Sequence, residues 1–105
     1  NWRENVSEFA DKVVLVTGGT RGIGRACAEA FSNAGAKVAI CGRSADSAAQ
    51  AAQSIGGDCR GYGCDIADGA AVEAMVKAIG DDLGPVSILV NNAGLTKDGL
   101  LMSMK

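Results

Sequence analysis

Short apolar runs recur along the chain and predict four β-strands, at about residues 12–17, 37–41, 60–64 and 86–91. The first run, Lys-Val-Val-Leu-Val-Thr, is rich in β-branched residues and too apolar for a strand with one face in water. Such a run is typical of a strand covered on both faces, as in a parallel sheet.

Between the strands, apolar residues recur at helical spacing and predict three helices. These are expected from the glycine-rich turn 18–24 to about residue 33, from a cap at Ser44 or Asp46 to residue 55, and from a cap at Asp68 to residue 83. The apolar stripe of the first helix is at residues 23, 27, 30, 31 and 34, and that of the third is at residues 72, 75, 76, 79 and 83.

This alternation predicts an α/β fold, a βαβαβαβ chain that forms a doubly wound parallel sheet with right-handed crossovers. In the strand order 3-2-1-4, ligands bind where the order reverses, between the first and fourth strands. The loops after Thr17 and Asn91 would line that crevice. Residues 94–105 are expected to form a loop, and the stretch 99–102 is a candidate start for another helix.

The fourth strand would form the edge of this sheet, although its centre, Ile88-Leu89-Val90, is apolar on both faces. Edge strands are usually shortened, charged or covered. We therefore expect either that further strands follow residue 105, so that the chain is the first part of a larger fold, or that another subunit covers this edge.

Composition and charge exclude several function classes. Of the 105 residues, 48% are hydrophobic and 21% charged, which fits one globular domain and not a disordered chain. The net charge of −2 comes without a basic stripe, so we expect no nucleic-acid partner. No apolar run approaches the length of about 18 residues that a membrane span needs.

The N-terminus is polar and shows no signal-peptide pattern, so we expect a cytoplasmic protein. Because the chain does not begin with Met, a plastid or mitochondrial matrix location stays open.

The chain contains no histidine, which excludes Ser-His-Asp hydrolysis, Cys-His proteolysis and zinc sites that need imidazole. Its four cysteines, Cys27, Cys41, Cys59 and Cys64, form no CxxC pair. We interpret them as small buried residues in a reducing compartment, with a metal or redox role as the alternative.

The first strand leads directly into Thr17-Gly18-Gly19-Thr20-Arg21-Gly22-Ile23-Gly24. Glycines let the backbone approach a pyrophosphate, and the helix that opens here offers unpaired N–H groups and a positive dipole end. In this position the turn predicts dinucleotide phosphate binding. A plain tight turn is the alternative.

The end of the second strand predicts which dinucleotide is bound. An acidic residue there would bind the ribose 2′-hydroxyl and favour NAD. This chain has Cys41-Gly42-Arg43-Ser44 instead, and the planar, charged fork of Arg43 suits a 2′-phosphate. Because Arg21 can converge on the same phosphate, we predict NADP(H) as the cofactor. The alternative is that both arginines are solvated surface residues.

The glycine motif 17–24, Asp65 after the third strand, and Asn91-Asn92-Ala93-Gly94 together resemble the short-chain dehydrogenase/reductases, which have a Rossmann-type fold. Residues 91–105 are similar to the 3-oxoacyl-[acyl-carrier-protein] reductases within that family. The resemblance extends over about residues 11–105 and would cover roughly two fifths of such an enzyme. It implies that residues 1–10 are an N-terminal extension and residues 11–105 an incomplete NADP-binding domain.

The resemblance also implies roles for the matching residues. Gly18, Gly19, Thr20, Gly22, Ile23 and Gly24 would hold the pyrophosphate, with Arg21, Arg43 and the adjoining Ser44 on the 2′-phosphate side. Asp65 would accept a hydrogen bond from the adenine amino group, and Ile66 would pack on the ring; a turn or capping role is the alternative for Asp65.

At the end of the fourth strand, the resemblance implies that Asn92, Ala93 and Gly94 line the ribose side of the cofactor. For Asn91 and Asn92 a structural turn is the alternative. Ser87 stands where this family often has aspartate, which we interpret as a tolerated surface change.

The implied activity is NADPH-dependent reduction of a 3-oxoacyl thioester on acyl carrier protein, by an enzyme that is a homotetramer at full length. The family's catalysis uses a tyrosine with a lysine four residues later, a serine and an asparagine. The only tyrosine here is Tyr62, and Ile66 stands four residues later. We therefore expect Tyr62 to be structural and this chain to be catalytically silent. A non-catalytic nucleotide-binding module and a reductase of another ketone or alcohol are the alternatives.

Overall fold

The computed structural model describes residues 9–20 and 22–92, together with the backbone of residues 101–103. In chain order the elements are β1 (Val13–Thr17), α1 (Gly22–Asn33), β2 (Lys37–Gly42), α2 (Ala45–Ile55), β3 (Cys59–Gly63), α3 (Gly69–Asp82), β4 (Ile88–Asn91) and β5 (Leu101–Ser103). The predicted strands and helices are thus confirmed, with ends that differ by one or two residues. Within the described residues, no helix has the length and apolarity to cross a membrane.

The sheet has the strand order β3-β2-β1-β4-β5, which confirms the predicted order 3-2-1-4 for the first four strands. Those four strands are parallel, and Leu15 of β1 pairs with Ala39 of β2 and with Leu89 of β4. All five residues of β1 are buried, as predicted for a strand covered on both faces. The fold is therefore a Rossmann-type α/β sheet with its order reversal between β1 and β4.

The fifth strand differs from the sequence-based expectation. Residues 101 and 102, within the stretch considered for a helix, lie in a strand that pairs antiparallel with β4, so that Leu101 is opposite Val90. The unpaired backbone of an apolar edge strand is a ready template for another strand, which explains the difference. Within the described residues, β5 thus pairs with this edge of β4. The expectation that the chain is the first part of a larger fold stays a prediction.

The sheet separates two apolar clusters. One face, with Val14, Val16, Val38, Ile40 and Val90, packs against Ala28 of α1 and against Ala51 and Ala52 of α2. The other face, with Leu15, Ala39 and Cys41, packs against Met75 and Ile79 of α3.

The predicted apolar stripe of α1 is partly wrong. Ile23 and Ala30 are exposed, whereas Gly24 and Ala28 are buried. The smallest residues of this helix face the sheet because α1 lies close to it, and the larger Ile23 is turned outward. The predicted stripe of α3 is closer to the structure, since Met75 and Ile79 are buried, although Val76 is 37% exposed.

Two side chains start the second and third helices. Ser44 caps α2, and its hydroxyl accepts a hydrogen bond from the Ser47 N–H at 3.2 Å. Ser44 and not Asp46 is therefore the cap, which decides between the two candidates. Asp68 caps α3 as predicted, because one carboxylate oxygen accepts from the N–H groups of Ala70 and Ala71 at 3.0 and 3.2 Å.

Glycines in β3 allow α2 to approach this strand closely. A Cβ atom built on Gly61 would overlap the carbonyl oxygen of Ala48 and lie 2.6 Å from the backbone nitrogen of Ala49. A Cβ atom on Gly63 would lie 2.8 Å from the backbone nitrogen of Ala45. This contact holds the start of α2, and therefore the preceding Arg43 and Ser44, against the sheet.

We expect Gly61→Ala to destabilise the protein by about 1–3 kcal/mol, because the added methyl forces α2 away from β3. Gly80→Ala is the matched control, since a Cβ atom there meets nothing within 4 Å. In helix α3 the control should stabilise by about 0.5–1 kcal/mol. Urea unfolding followed by circular dichroism measures both changes, and similar values for the two variants would contradict the close contact.

Candidate functional site

A crevice of about 580 Å³ opens at the carboxyl ends of β1, β2 and β4 and at the loop after β3. Its lining residues lie at or after the ends of these four strands and are Gly18, Thr20, Gly22, Ile23, Cys41, Gly42, Arg43, Cys64, Asp65, Ile66, Ala67 and Asn92. The structure therefore brings together most of the residues that the sequence singled out. Arg21, Ala93 and Gly94 lie outside the described residues.

The glycine turn after β1 is held against the end of β2. The N–H groups of Gly18 and Gly19 donate to the carbonyl oxygen of Cys41 at 2.9 and 3.3 Å. Gly18 and Gly22 have φ angles of 66° and 65°, in the left-handed region that glycine adopts without strain. Because α1 begins at Gly22, the N–H groups of its first turn lie at this crevice and are suited to an anion.

Gly24 sets the distance between α1 and the turn. A Cβ atom at this position would overlap the carbonyl oxygen of Gly18 and would lie 2.7 Å from Nδ2 of Asn92. That same Nδ2 donates a hydrogen bond to the Gly18 oxygen at 3.2 Å. Asn92 therefore has a structural role in joining the end of β4 to the glycine turn, in agreement with the alternative drawn from the sequence.

Thr17 reinforces the same junction from β1. Its buried hydroxyl lies 3.1 Å from Oδ1 of Asn91 and 3.4 Å from the Val90 carbonyl oxygen. Two side chains thus join the ends of β1 and β4 at the order reversal, Thr17 from β1 and Asn92 from the end of β4.

Asp65 and Ile66 line the crevice from the loop after β3. Oδ1 of Asp65 accepts from the Ala67 N–H at 3.0 Å, so the carboxylate also shapes its own loop. The side chain of Ile66 is 37% exposed and that of Ile23 is 58% exposed. Two isoleucines with this much free surface at one crevice offer apolar contact to a ring.

A second cavity, of about 550 Å³, adjoins the first and shares Thr20, Gly42 and Arg43 with it. Its other lining residues are Arg25, Ser44, Ser47, Gln50 and Ala51. Among the described residues, this lining carries two guanidinium groups and no carboxylate. Gly42 belongs to both linings, and a Cβ atom there would lie 3.1 Å from the Thr20 methyl carbon.

Four lining residues of the second cavity were not predicted from the sequence: Arg25, Ser47, Gln50 and Ala51. A signal for two of them was present, because Ser47 and Gln50 are three residues apart and share one face of an alanine-rich helix. Arg25 could not be found in this way, since its position depends on how α1 and α2 approach each other.

The described cysteines are free thiols, and two of them lie at the crevice. Burial raises the pKa of both Cys41 and Cys64 above the ordinary thiol range. Burial also raises the pKa of Cys59, to about 11. These three thiols are therefore protonated at neutral pH, as expected of small packing residues and not of nucleophiles.

Tyr62 lies outside both cavities. Its hydroxyl donates to Oδ2 of Asp82 at 2.7 Å and so links β3 to the end of α3. Burial, and next the hydrogen bond with Asp82, raise the pKa of Tyr62 to about 12. The tyrosine is a structural residue in this fold.

We expect the absorbance of the sole tyrosinate at 295 nm to titrate with a midpoint near 12 in the folded protein. In Asp82→Asn the midpoint should fall, because the negative charge opposite the phenolate is gone, while Asp81→Asn is the neighbouring control. The pKa of Tyr62 is higher in the folded protein than in the unfolded chain. The protonated tyrosine therefore contributes fully to the free energy of unfolding below about pH 10, and that contribution is lost as the pH rises to 12. Equal midpoints for the wild type and Asp82→Asn would contradict the contact.

Comparison with known proteins identifies the family. The family model described as short chain dehydrogenase matches residues 12–105 of this chain. Among curated relatives, 3-oxoacyl-[acyl-carrier-protein] reductase FabG of Vibrio cholerae is 46% identical over 94 residues, which are 90% of this chain and 38% of the relative. FabG of Escherichia coli K12 is 43% identical over 97 residues, 92% of this chain and 40% of the relative.

A human 3-oxoacyl-[acyl-carrier-protein] reductase is 41% identical over 95 residues, 90% of this chain and 40% of that protein. The chain thus spans about two fifths of the length of these curated relatives. Among solved structures, the Pseudomonas aeruginosa RhlG/NADP active-site complex superposes with a TM-score of 0.75 and 39% identity, over 84% of this chain and 36% of that one. From its glycine turn, its strand order and these matches, the chain belongs to the short-chain dehydrogenase family.

Proposed function

We propose that this chain is the cofactor-binding part of an NADPH-dependent 3-oxoacyl-[acyl-carrier-protein] reductase. The observation that carries the proposal is the pair of adjoining cavities, in which the glycine turn faces one cavity and Arg43 borders both. No acidic residue stands at the end of β2 to favour NAD. Relatives named for this reductase, and a similar structure described as an NADP complex, support the same function.

The residues of the crevice fit a dinucleotide. Its pyrophosphate would lie over the start of α1, where the backbone of residues 18–24 leaves room because the glycines carry no side chains. Its adenine would lie between Ile66 and the end of β2, with Asp65 as acceptor for the ring's amino group. Its 2′-phosphate would meet Arg43 and Arg21, next to Ser44.

At the other end of the crevice, Asn92, Ala93 and Gly94 would line the ribose next to the nicotinamide. The hydrogen bond from Asn92 to the Gly18 oxygen favours this placement, because it fixes the end of β4 beside the pyrophosphate position.

When bound, the nicotinamide supplies the hydride. The residues of this chain bind and orient the cofactor: the first amides of α1 hold its negative charge, and Arg43 selects the phosphorylated ribose. Proton transfer to the reduced carbonyl needs another group, because Tyr62 faces Asp82 and its pKa lies far above neutrality.

The substrate and assembly follow from the same proposal. The parent enzyme would reduce the thioester of acyl carrier protein as a cytoplasmic homotetramer, and residues 11–105 would form its NADP-binding domain. Reduction of another ketone or alcohol is separated from this proposal by assays of the parent enzyme with acetoacetyl thioester and with simple ketones.

We expect Arg43→Glu to weaken NADPH binding about 10- to 100-fold, because a charged hydrogen bond of about 1.5–3 kcal/mol is replaced by repulsion. The effect on NADH should be much smaller, since NADH lacks the 2′-phosphate. Fluorescence titration with each nucleotide measures the ratio, and Arg60→Glu on the distant strand β3 is the matched control. Absence of binding to either nucleotide by the wild type would contradict the proposed function.

We expect no NADPH oxidation above background when this 105-residue chain is mixed with acetoacetyl thioester, although NADPH binds. The reason is that the sequence contains no tyrosine followed four residues later by lysine. Absorbance at 340 nm measures the rate. Turnover by the chain alone would show that proton transfer has another source among these residues.

A further inference from the structure

Arg25 borders the proposed cofactor site, yet the proposed function gives it no role. Its side chain lines the second cavity together with Arg43, Ser44 and Ser47. Arg43 also lines the first cavity, so Arg25 borders a cavity that adjoins the proposed cofactor site and shares Arg43 with it.

Two hydrogen bonds fix the guanidinium of Arg25. Its Nε donates to Oε1 of Glu29 at 2.9 Å, one turn further along α1, and its Nη2 donates to Oγ of Ser54 on α2 at 2.7 Å. Because the two acceptors lie on different helices, the plane of the guanidinium is held and not only its position. These bonds use two of the five N–H donors of an arginine, which leaves donors for an anion.

The charges around the cavity favour an anion with more than one negative charge. Arg25 and Arg43 belong to the lining, whereas Glu29 pairs with Arg25 but does not itself line the cavity. Glu29 therefore offsets part of the charge of Arg25, and its bond to Nε fixes one edge of the guanidinium without placing a carboxylate in the cavity lining.

We propose that Arg25 is a further specificity-determining residue, which binds the 2′-phosphate side of the nucleotide together with Arg43, and that Glu29 and Ser54 are its positioning residues. The inference rests on the proposed function, because it assigns a contact within the same site. A lysine would not replace Arg25, because it lacks the planar fork of the guanidinium. Its single ammonium group cannot contact Glu29, Ser54 and a phosphate at the same time.

The test uses two probes that differ only in the 2′-phosphate, adenosine 2′,5′-bisphosphate and 5′-AMP, in calorimetric titrations at low salt. We expect Arg25→Met to weaken the bisphosphate roughly fivefold to tenfold, since the group is partly exposed and screened. It should change 5′-AMP less than about twofold, and the difference should shrink at about 0.5 M salt because of the short Debye length. Arg60→Met is the control for loss of an arginine elsewhere.

The positioning residues give a second, independent readout. Ser54→Ala should lower the preference for the bisphosphate and Ser54→Thr should restore it, because the hydroxyl returns. Glu29→Gln should strengthen binding of the bisphosphate, since the side chain keeps an acceptor for Nε but no longer offsets the positive charge. A merely structural ion pair would instead give equal losses for both probes.

The outcomes separate the two proposals. If Arg43→Met lowers the preference for the bisphosphate while Arg25→Met and Glu29→Gln leave it unchanged, the role of Arg25 is wrong and the proposed function stands. If the wild type binds both probes equally, NADP selection itself is wrong, and the role of Arg25 is wrong with it. If Arg25→Met fails to fold, the opposite shifts expected for Ser54→Ala and Glu29→Gln still decide the question.

Discussion

The site depends on the close approach of helix α1 to the carbonyl oxygen of Gly18. A Cβ atom at Gly24 would overlap that oxygen, so the helix can begin where it does only because position 24 carries no side chain. The same oxygen accepts the hydrogen bond from Asn92, which brings the end of β4 to the turn. One carbonyl group therefore joins the glycine turn, the start of α1 and the end of β4. A larger residue at position 24 would displace the start of α1 and the end of β4 together.

A second close approach positions the charge-bearing side of the site. Gly61 and Gly63 allow α2 to lie against β3, and the buried alanines of α2 allow it to lie against the sheet. The short segment before α2 is thereby held at the end of β2, where it presents Arg43 between the two cavities. Small residues thus determine where the charged groups lie, although they contribute little chemistry of their own.

The features that follow from local sequence patterns could be predicted, whereas those that depend on close packing could not. The strands, the strand order, the cap at Asp68 and the crevice residues from Gly18 to Asn92 were predictable, because each follows from a local pattern or from the general topology of parallel sheets. The orientation of α1 was partly mispredicted, since apolar periodicity favours Ile23 in the core, whereas close packing demands Gly24 there. Strand β5 and the tether of Arg25 to Ser54 depend on contacts between segments far apart in sequence, which no local pattern contains.

The groups suited to bind a nucleotide differ from the described thiol and phenol groups. The groups that would recognise the nucleotide are backbone amides and guanidinium groups, which need no proton transfer to bind. The thiols with raised pKa values and the phenol of Tyr62 are protonated at neutral pH. The Tyr62 hydroxyl donates to Asp82 and so links β3 to α3. Within the described residues the crevice therefore combines the guanidinium of Arg43 and the carboxylate of Asp65 with exposed apolar surface of Ile23 and Ile66. Such a surface favours binding that weakens strongly as salt rises, because positive charges attract a polyanion and dissolved ions screen that attraction.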